Sequence, residues 1–375
     1  MIQRKKLGEI ANISAGQGAP QGAENYSEEG TPFVKAGDLF YLVNGERECD
    51  IQKVSEEVAK NHRLKLYPKG TVLFAKSGMS CMKGYVYATN AECYVVSHLA
   101  CIMPFDVDSK YLKYYFEYHK PNQLVKDASY PSISLADIAE MPINVFDDQT
   151  EAKIVDNLDA VNSLIAKSKE ELGLLDNIVK SRFVELFGNG HDGKCKVMMI
   201  SKICKFQQGT QIPIEMQTEE LLAGYKRFLR ISDYTQAPQP PRYVNVDGRE
   251  IDEKSVVIVR YGATAGFVGR GYSGILANNL FEVIPDETLI SKEFLYLALK
   301  HGTFERDIHE KAFGAAMPAL SFSMMDDIPI VVPSHEAQKQ FAAFVAQVDK
   351  SKLAVKQSLE KLETLKKSLM QQYFG

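Results

Sequence analysis

Telling one base pair from another in the major groove takes side chains with paired donors and acceptors, arginine or lysine for guanine and asparagine or glutamine for adenine. The sequence carries two sets of such residues on short segments that follow apolar runs. The first comprises Lys35, Lys76, Ser77, Ser80, Lys83 and His98, with Ser129 and Tyr130 further on. The second comprises Arg230, Arg260, Tyr261, Thr264 and Arg270, with Asn278 and Asn279 behind them. Glycine-led loops at Gly16 and Gly209 add Gln17, Gln21, Thr210 and Gln211. Lysines in such sets would hold phosphates and fix position, whereas the arginines and amides could specify. Were the chain to bind nucleic acid, Lys35, Lys76, Ser77, Ser80, Lys83, Tyr130, Gln211, Arg230, Arg260, Tyr261, Thr264, Arg270 and Asn279 would be the candidate contacts; otherwise cations at strand ends are solvated edge residues. His98 reads as a packed or surface histidine, and Asn278-Asn279 also suits a turn.

Other chemistries find little support. The six cysteines form no CxxC pair, so neither a zinc ribbon nor a disulfide framework is indicated. The run GNGHDG (188–193) matches a dinucleotide fingerprint by letters, but that loop needs a strand before it and a helix after it. Here it follows a helical pattern and reads as a helix stop and linker. Asp108-Ser109-Lys110 imitates half of a nuclease site without a partner acid. No catalytic residue and no metal ligand is assigned. The start MIQRKKLGEI has no apolar stretch behind it, and no run approaches a membrane span, so a soluble, cytoplasmic chain is expected. A net charge of −4 argues against whole-surface electrostatic binding of nucleic acid and leaves room for local patches.

The elements that would position these residues are duplicated. Residues 131–188 lie on 318–375 at a constant offset of 187 without a gap. Pro131/Pro318, Pro142/Pro329, Ile143/Ile330, Val161/Val348, Leu172/Leu359 and Phe187-Gly188/Phe374-Gly375 all coincide. Upstream the likeness is looser. LGEIANISAG (7–16) matches ISKICKFQQG (200–209), and TPFVKAGDL (31–39) matches KRFLRISDY (226–234). GTVLFAKSG (70–78) matches KSVVIVRYG (254–262), an alternating strand that delivers Lys76 or Arg260 and then a glycine turn. The organisation is therefore two modules at 1–141 and 189–328, each followed by a tail at 142–188 and 329–375.

In the tails, apolar residues recur at Ile154, Leu158, Val161, Ile165, Leu172, Leu175 and Val179, and at Phe341, Val345, Val348, Val355, Leu359, Leu362 and Leu369. Steps of three and four residues make a coiled-coil seam. Helices of about 35–40 residues would be roughly 50–60 Å long. The first tail carries 5 basic and 9 acidic residues and the second 7 and 4, so opposite charge favours an intramolecular, antiparallel pair.

Two strand-rich modules, each followed by a closely matched long helix, resemble the specificity subunit of type I restriction–modification enzymes. The matching features are Leu7-Gly8-Glu9-Ile10, the strand–Lys/Arg–Gly segments ending at Gly78 and Gly262, the PI-x-V boundaries at Pro142 and Pro329, and the LFG and YFG endings. The chain has no tryptophan, where that family often places one before each LGEI-like segment, and its second version is ISKI. The resemblance implies an α/β fold: two α/β target-recognition domains joined and separated by two long helices, an antiparallel coiled coil with pseudo-two-fold symmetry. It also implies that each domain reads half of a bipartite, asymmetric double-stranded DNA site, with the helices setting the gap. The chain itself would be non-catalytic and hold no cofactor. Two modification subunits would bring S-adenosylmethionine, and restriction subunits, bound through them, ATP and Mg. A single-chain methyltransferase is the enzyme rival, but an Asn/Asp-Pro-Pro-aromatic motif is missing. The other alternative is a scaffold that recruits partners through its coiled coil without reading sequence.

Overall fold

The computed structural model describes residues 3–188, 195–235, 239–312 and 319–375. Pro318 of the repeat and residues 189–193 of the GNGHDG run lie outside the described residues. The chain forms two compact units, one of Met1–Lys167 with Ser358–Gly375 and one of Ser168–Gln357.

In the first unit the strands are β1 (Gln3–Lys6), β2 (Ala11–Ala15), β3 (Thr31–Val34), β4 (Lys53–Val54), β5 (Val72–Ala75), β6 (Val86–Ala88), β7 (Tyr94–Val95), β8 (Leu99–Pro104) and β9 (Pro142–Val145). The helices are α1 (Asp38–Val43), α2 (Glu56–Asn61), α3 (Ser109–His119), α4 (Leu135–Ala139) and the first part of α5 (Asp148–Phe187). An antiparallel sheet runs β2-β8-β5-β6, and a smaller one runs β4-β3-β7 with β3 parallel to β7. All four residues of β5 are buried, which explains its unbroken VLFA run: a central strand covered on both faces has no polar side. α3 closes one face with Tyr111, Leu112, Tyr114, Tyr115 and Phe116. It starts where Asp108 accepts hydrogen bonds from the Lys110 and Tyr111 amides, so the apparent nuclease triplet is a helix cap.

The second unit repeats the plan. Its strands are β10 (Val197–Met199), β11 (Cys204–Gln208), β12 (Lys226–Leu229), β13 (Arg242–Val244), β14 (Glu250–Ile251), β15 (Val256–Val259), β16 (Val268–Gly269), β17 (Gly274–Leu276), β18 (Leu280–Pro285) and β19 (Pro329–Val331). Its helices are α6 (Ile200–Ile203), α7 (Ile231–Tyr234), α8 (Lys292–His301), α9 (Phe304–Ala312), α10 (Phe322–Met325) and the first part of α11 (His335–Phe374). The sheets run β11-β18-β15-β16 and β13-β12-β17-β14. The PI-x-V segments pair with the strand that opens each module, Gln3↔Val145 and Val197↔Val331, which ties each module to the start of its long helix. The ISKI segment, despite its divergence, does the work of LGEI. Leu7 donates its amide to Met141 O and Ile200 to Ile328 O, and both side chains are fully buried.

Both long helices run 40 residues, about 60 Å at 1.5 Å per residue. In the second unit Asp176 of α5 meets Lys352 of α11 at 2.6 Å, while Phe183 and Phe187 pack on Phe341, so the two helices are antiparallel. In the first unit Asn157 Nδ2 donates to the Tyr373 hydroxyl near the other end of α11. The seam continues through positions that apolar spacing skips. Lys352, 16% exposed, and Lys366 occupy it and pair with Asp176 and Glu117. Among the described residues no helix is long and apolar enough to cross a membrane.

Candidate nucleic-acid interface

In each unit the C-terminal ends of the first and third strands of the large sheet meet the N-terminal end of the strand between them. Ala15 and Ala75 flank Ala100 and Leu99 in the first unit, and Gln208 and Val259 flank Phe281 and Leu280 in the second. Most of the candidate residues emerge from this edge on one shared backbone frame. The Gly16 amide donates to Leu99 O and the Gly209 amide to Leu280 O, both at 3.1 Å. A Cβ at Gly16 would overlap the carbonyl oxygens of Val95 and Val96, and one at Gly209 those of Leu276 and Ala277, so only glycine permits the approach. The Lys76 amide donates to His98 O and that of Arg260 to Asn279 O, both at 2.9 Å; their carbonyls accept from Ile133 and Leu320. Finally, the Lys35 amide donates to Asp38 Oδ2 at 2.7 Å and the Arg230 amide to Asp233 Oδ2 at 2.9 Å. The loose sequence matches thus become equivalent positions.

The side chains on that frame differ. In the first unit, Lys35 Nζ donates to Gln52 Oε1 at 2.6 Å and lies 4.0 Å from the centre of the Tyr26 ring. Ser77 Oγ and His98 Nδ1 are hydrogen-bonded at 2.7 Å. Lys76 and Ser80 are half-buried and Lys83 is exposed, the latter two in the turn Met79–Lys83 that follows Gly78. Tyr130 is 82% exposed.

In the second unit, Arg230 donates through Nε to Asp233 Oδ2 and through a terminal nitrogen to Pro240 O at 2.7 Å. Asp233, whose side chain is 2% exposed, also takes Arg227 at 2.7 Å. Arg260 donates to Leu320 O and stacks between the Tyr261 and Phe281 rings, 4.6 and 5.2 Å away. Thr264 is exposed in the following turn. Gln211, Gln217, Arg230, Gln239, Asn278 and Asn279 line a cleft of about 430 Å³. Asn278 and Asn279 form the turn between β17 and β18 and line the cleft as well. The Asn279 Oδ1 is buried without a hydrogen-bond partner.

Arg270 does not join this group. It leaves β16 at the opposite end of the β15–β16 hairpin, where it lies over the Tyr296 ring and 3.8 Å from Glu293 of α8. Proximity in sequence to Arg260 misled here, because an antiparallel hairpin carries residues ten apart to opposite ends.

The sequence reading also missed residues. The Lys65 amide donates to the Gln17 side chain, and the Arg249 amide to Thr210 Oγ1, so both cations belong to the shared frame. Arg249 pairs with buried Glu282, whereas the equivalent place in the first unit holds Cys101. Burial pushes the Cys101 thiol up to about 12, as it does Cys93 and Cys204, so these cysteines are packing groups. Met79 and Gln52 were passed over as well; nothing in their local sequence marks them. Among the described residues no cluster of three or more His, Cys, Asp or Glu could hold a metal.

A tandem pair of mixed α/β modules, each leading into a long helix, is the class of protein this architecture defines. Residues 2–174 and 193–365 each match the family described as type I restriction modification DNA specificity domain, and the chain belongs to that family. It is similar to the type I restriction enzyme MjaVIII specificity subunit of Methanocaldococcus jannaschii, 24% identical over 197 residues, 52% of this chain and 45% of that one. The MjaIX specificity subunit of the same organism is 30% identical over 143 residues, 36% of this chain and 31% of that relative. The matched part of the chain thus spans less than half the length of either curated relative. Among solved structures, the type I restriction–modification S subunit from M. genitalium superposes with a TM-score of 0.61 at 15% identity, covering 100% of this chain and 96% of that one. A chain from work on complex assembly and conformational transition of the type I R-M system gives 0.62 at 14% identity, covering 100% and 97%. These two likenesses show a shared fold.

Proposed function

We propose that this chain is the specificity subunit of a type I restriction–modification enzyme, reading a bipartite, asymmetric site in double-stranded DNA, one half per module. The observation that carries the reading is one backbone frame presenting two different side-chain sets. Lys35, Lys76, Ser77 and His98 stand where Arg230, Arg260, Tyr261 and Asn279 stand in the second module. A shared frame with divergent edges suits a reader of two unlike half-sites. The long helices set the gap between the half-sites, and their outer faces dock two modification subunits. Those subunits supply S-adenosylmethionine and the chemistry; restriction subunits, bound through them, supply ATP-driven cleavage with Mg. The chain itself contributes no catalytic group, and it acts in the cytoplasm.

The test is co-expression with the cognate modification subunit, followed by mapping of methyladenine by long-read sequencing. A bipartite motif with a fixed gap, lost when this chain is omitted, is the expected result. A stable complex that methylates nothing and binds all sequences with equal, fully salt-sensitive affinity would overturn it.

A further inference from the structure

On the reading edge of the first module, two large side chains stand in solvent with no packing role. Tyr130 is 82% and Met79 is 69% exposed. They lie 51 positions apart, yet the fold brings their segments together. Ser77 pairs antiparallel with Ser132, and the Gly78 amide donates to Pro131 O at 3.0 Å. Met79 follows Gly78 and Tyr130 precedes Pro131, so both leave the same end of that bridge. Gly78 makes this possible: at φ 75° it takes the left-handed backbone, and it turns the chain into the short helical turn Met79–Lys83. The Asp127 carboxylate accepts the Ser129 amide and braces the approach to Tyr130.

Large, mostly apolar side chains gathered at one exposed edge mark an interaction site. Its surroundings indicate what kind. Lys76 stands at the strand end that feeds the turn, and Lys83 closes the turn in solvent. An aromatic ring and an unbranched thioether flanked by ammonium groups suit a surface that is apolar between layers and anionic at its rim, which describes a base step with its phosphates. Side chains of this kind enter partly unstacked steps and kink the duplex. In the second module Ala263 stands at the place of Met79, and Tyr261, at the place of Ser77, lies against the Arg260 guanidinium.

We infer that Met79 and Tyr130 form a wedge that unstacks one base step at or beside the first half-site. This rests on the reading of the chain as a DNA-specificity subunit, and it adds a deformation contact to the first module. The wedge would supply specificity through the ease of opening that step, with no hydrogen bond to a base edge.

The test uses the complex of this chain with its modification subunits and duplexes carrying 2-aminopurine singly at each position of the first half-site and its flanks. Wild type should raise the fluorescence several-fold at one step other than the methylated adenine. The double variant Met79→Ala, Tyr130→Ala, both at exposed positions, should lose that signal and keep any signal at the methylated adenine. Tyr130→Phe should retain it, since stacking needs the ring and not the hydroxyl. An enhancement confined to the methylated adenine, one untouched by the double variant, or one abolished by Tyr130→Phe would overturn the wedge while leaving sequence-selective binding in place. Loss of selective binding by the wild-type complex would instead defeat the specificity reading itself.

Discussion

The two modules share a backbone frame and differ in how firmly their cations are held. In the second, Arg230 is fixed by Asp233, Arg260 by Leu320 O and two aromatic rings, and Arg249 by Glu282. In the first, the same three places hold lysines, each a single ammonium on a flexible stem: Lys35 meets Gln52 and the Tyr26 ring, Lys65 lies over the Tyr67 ring, and Lys76 is half-buried at its strand end. A guanidinium held on two sides offers a rigid fork that can match a guanine edge, whereas an ammonium satisfies phosphate from many angles. If the chain reads DNA as proposed, one scaffold would divide its labour, the second module reading mainly by hydrogen bonds and the first leaning on charge and shape.

Four outcomes would break or sharpen this comparison, in descending size. If the modules are independent readers spaced by the helices, one heptad inserted into both α5 and α11 leaves both half-sites unchanged. The helices lengthen by roughly 10 Å, and the gap grows by about three base pairs at roughly 3.4 Å each. Methylation of the wild-type site should vanish and reappear at the longer one; an unaltered gap would end the idea that the helices act as a ruler.

Next, Gly16→Ala and Gly209→Ala should each destabilise their own module by about 1–3 kcal/mol, because both place a Cβ on carbonyl oxygens. Thermal unfolding of the two variants should show comparable losses. Tolerance at one position only would mean that the frames are not equivalent.

Arg260→Ala should cost about 1–3 kcal/mol at the second half-site alone and relax its base preference. Lys76→Ala should weaken binding without changing the motif and lower the salt slope by about one. Methylome mapping and binding at several salt concentrations separate the two; a change of motif with Lys76→Ala would erase the contrast between the modules.

The smallest effect concerns the helices beneath them. Burial, assisted by the Lys300 and Lys352 ammonium groups and opposed by Asp176 and Asp349, lowers His301 to about 4. Burial also lowers His119 from its ordinary value, opposed by a hydrogen bond with the Phe374 backbone. A histidine whose pKa is lower folded than unfolded leaves stability flat above about 6.5, and its contribution declines as pH falls towards 4, where only the unfolded chain takes up the proton. His301→Gln should therefore flatten the decline between roughly pH 6.5 and 4 in chemical denaturation. His119→Gln should flatten it less; equal effects would remove the distinction.

Much of this plan was legible in the chain. The 187-residue repeat, the long helices with their seam, and the strand ends delivering Lys76 and Arg260 follow from periodicity, because a buried face must recur every 2 or every 3.5 residues. Membership of the family followed from the order and duplication of those segments. What remained hidden was everything set by non-local pairing. Arg270 was grouped with Arg260 until the hairpin register separated them. Lys352 and Lys366 interrupt the apolar stripe, and only their partners Asp176 and Glu117 explain why the seam tolerates them. Tyr130 stood among the candidates, but its neighbourhood with Met79, 51 positions away, comes only from the bridge between Ser77 and Ser132.

The sequence by itself thus determined the number of modules, their order and the class of element that follows each, since local hydrophobic spacing encodes those directly. Which side chains share an edge, and which cations stay free on it, was decided by tertiary structure. Those facts depend on hydrogen-bond register between distant segments, and a register leaves no trace in the spacing of either segment alone.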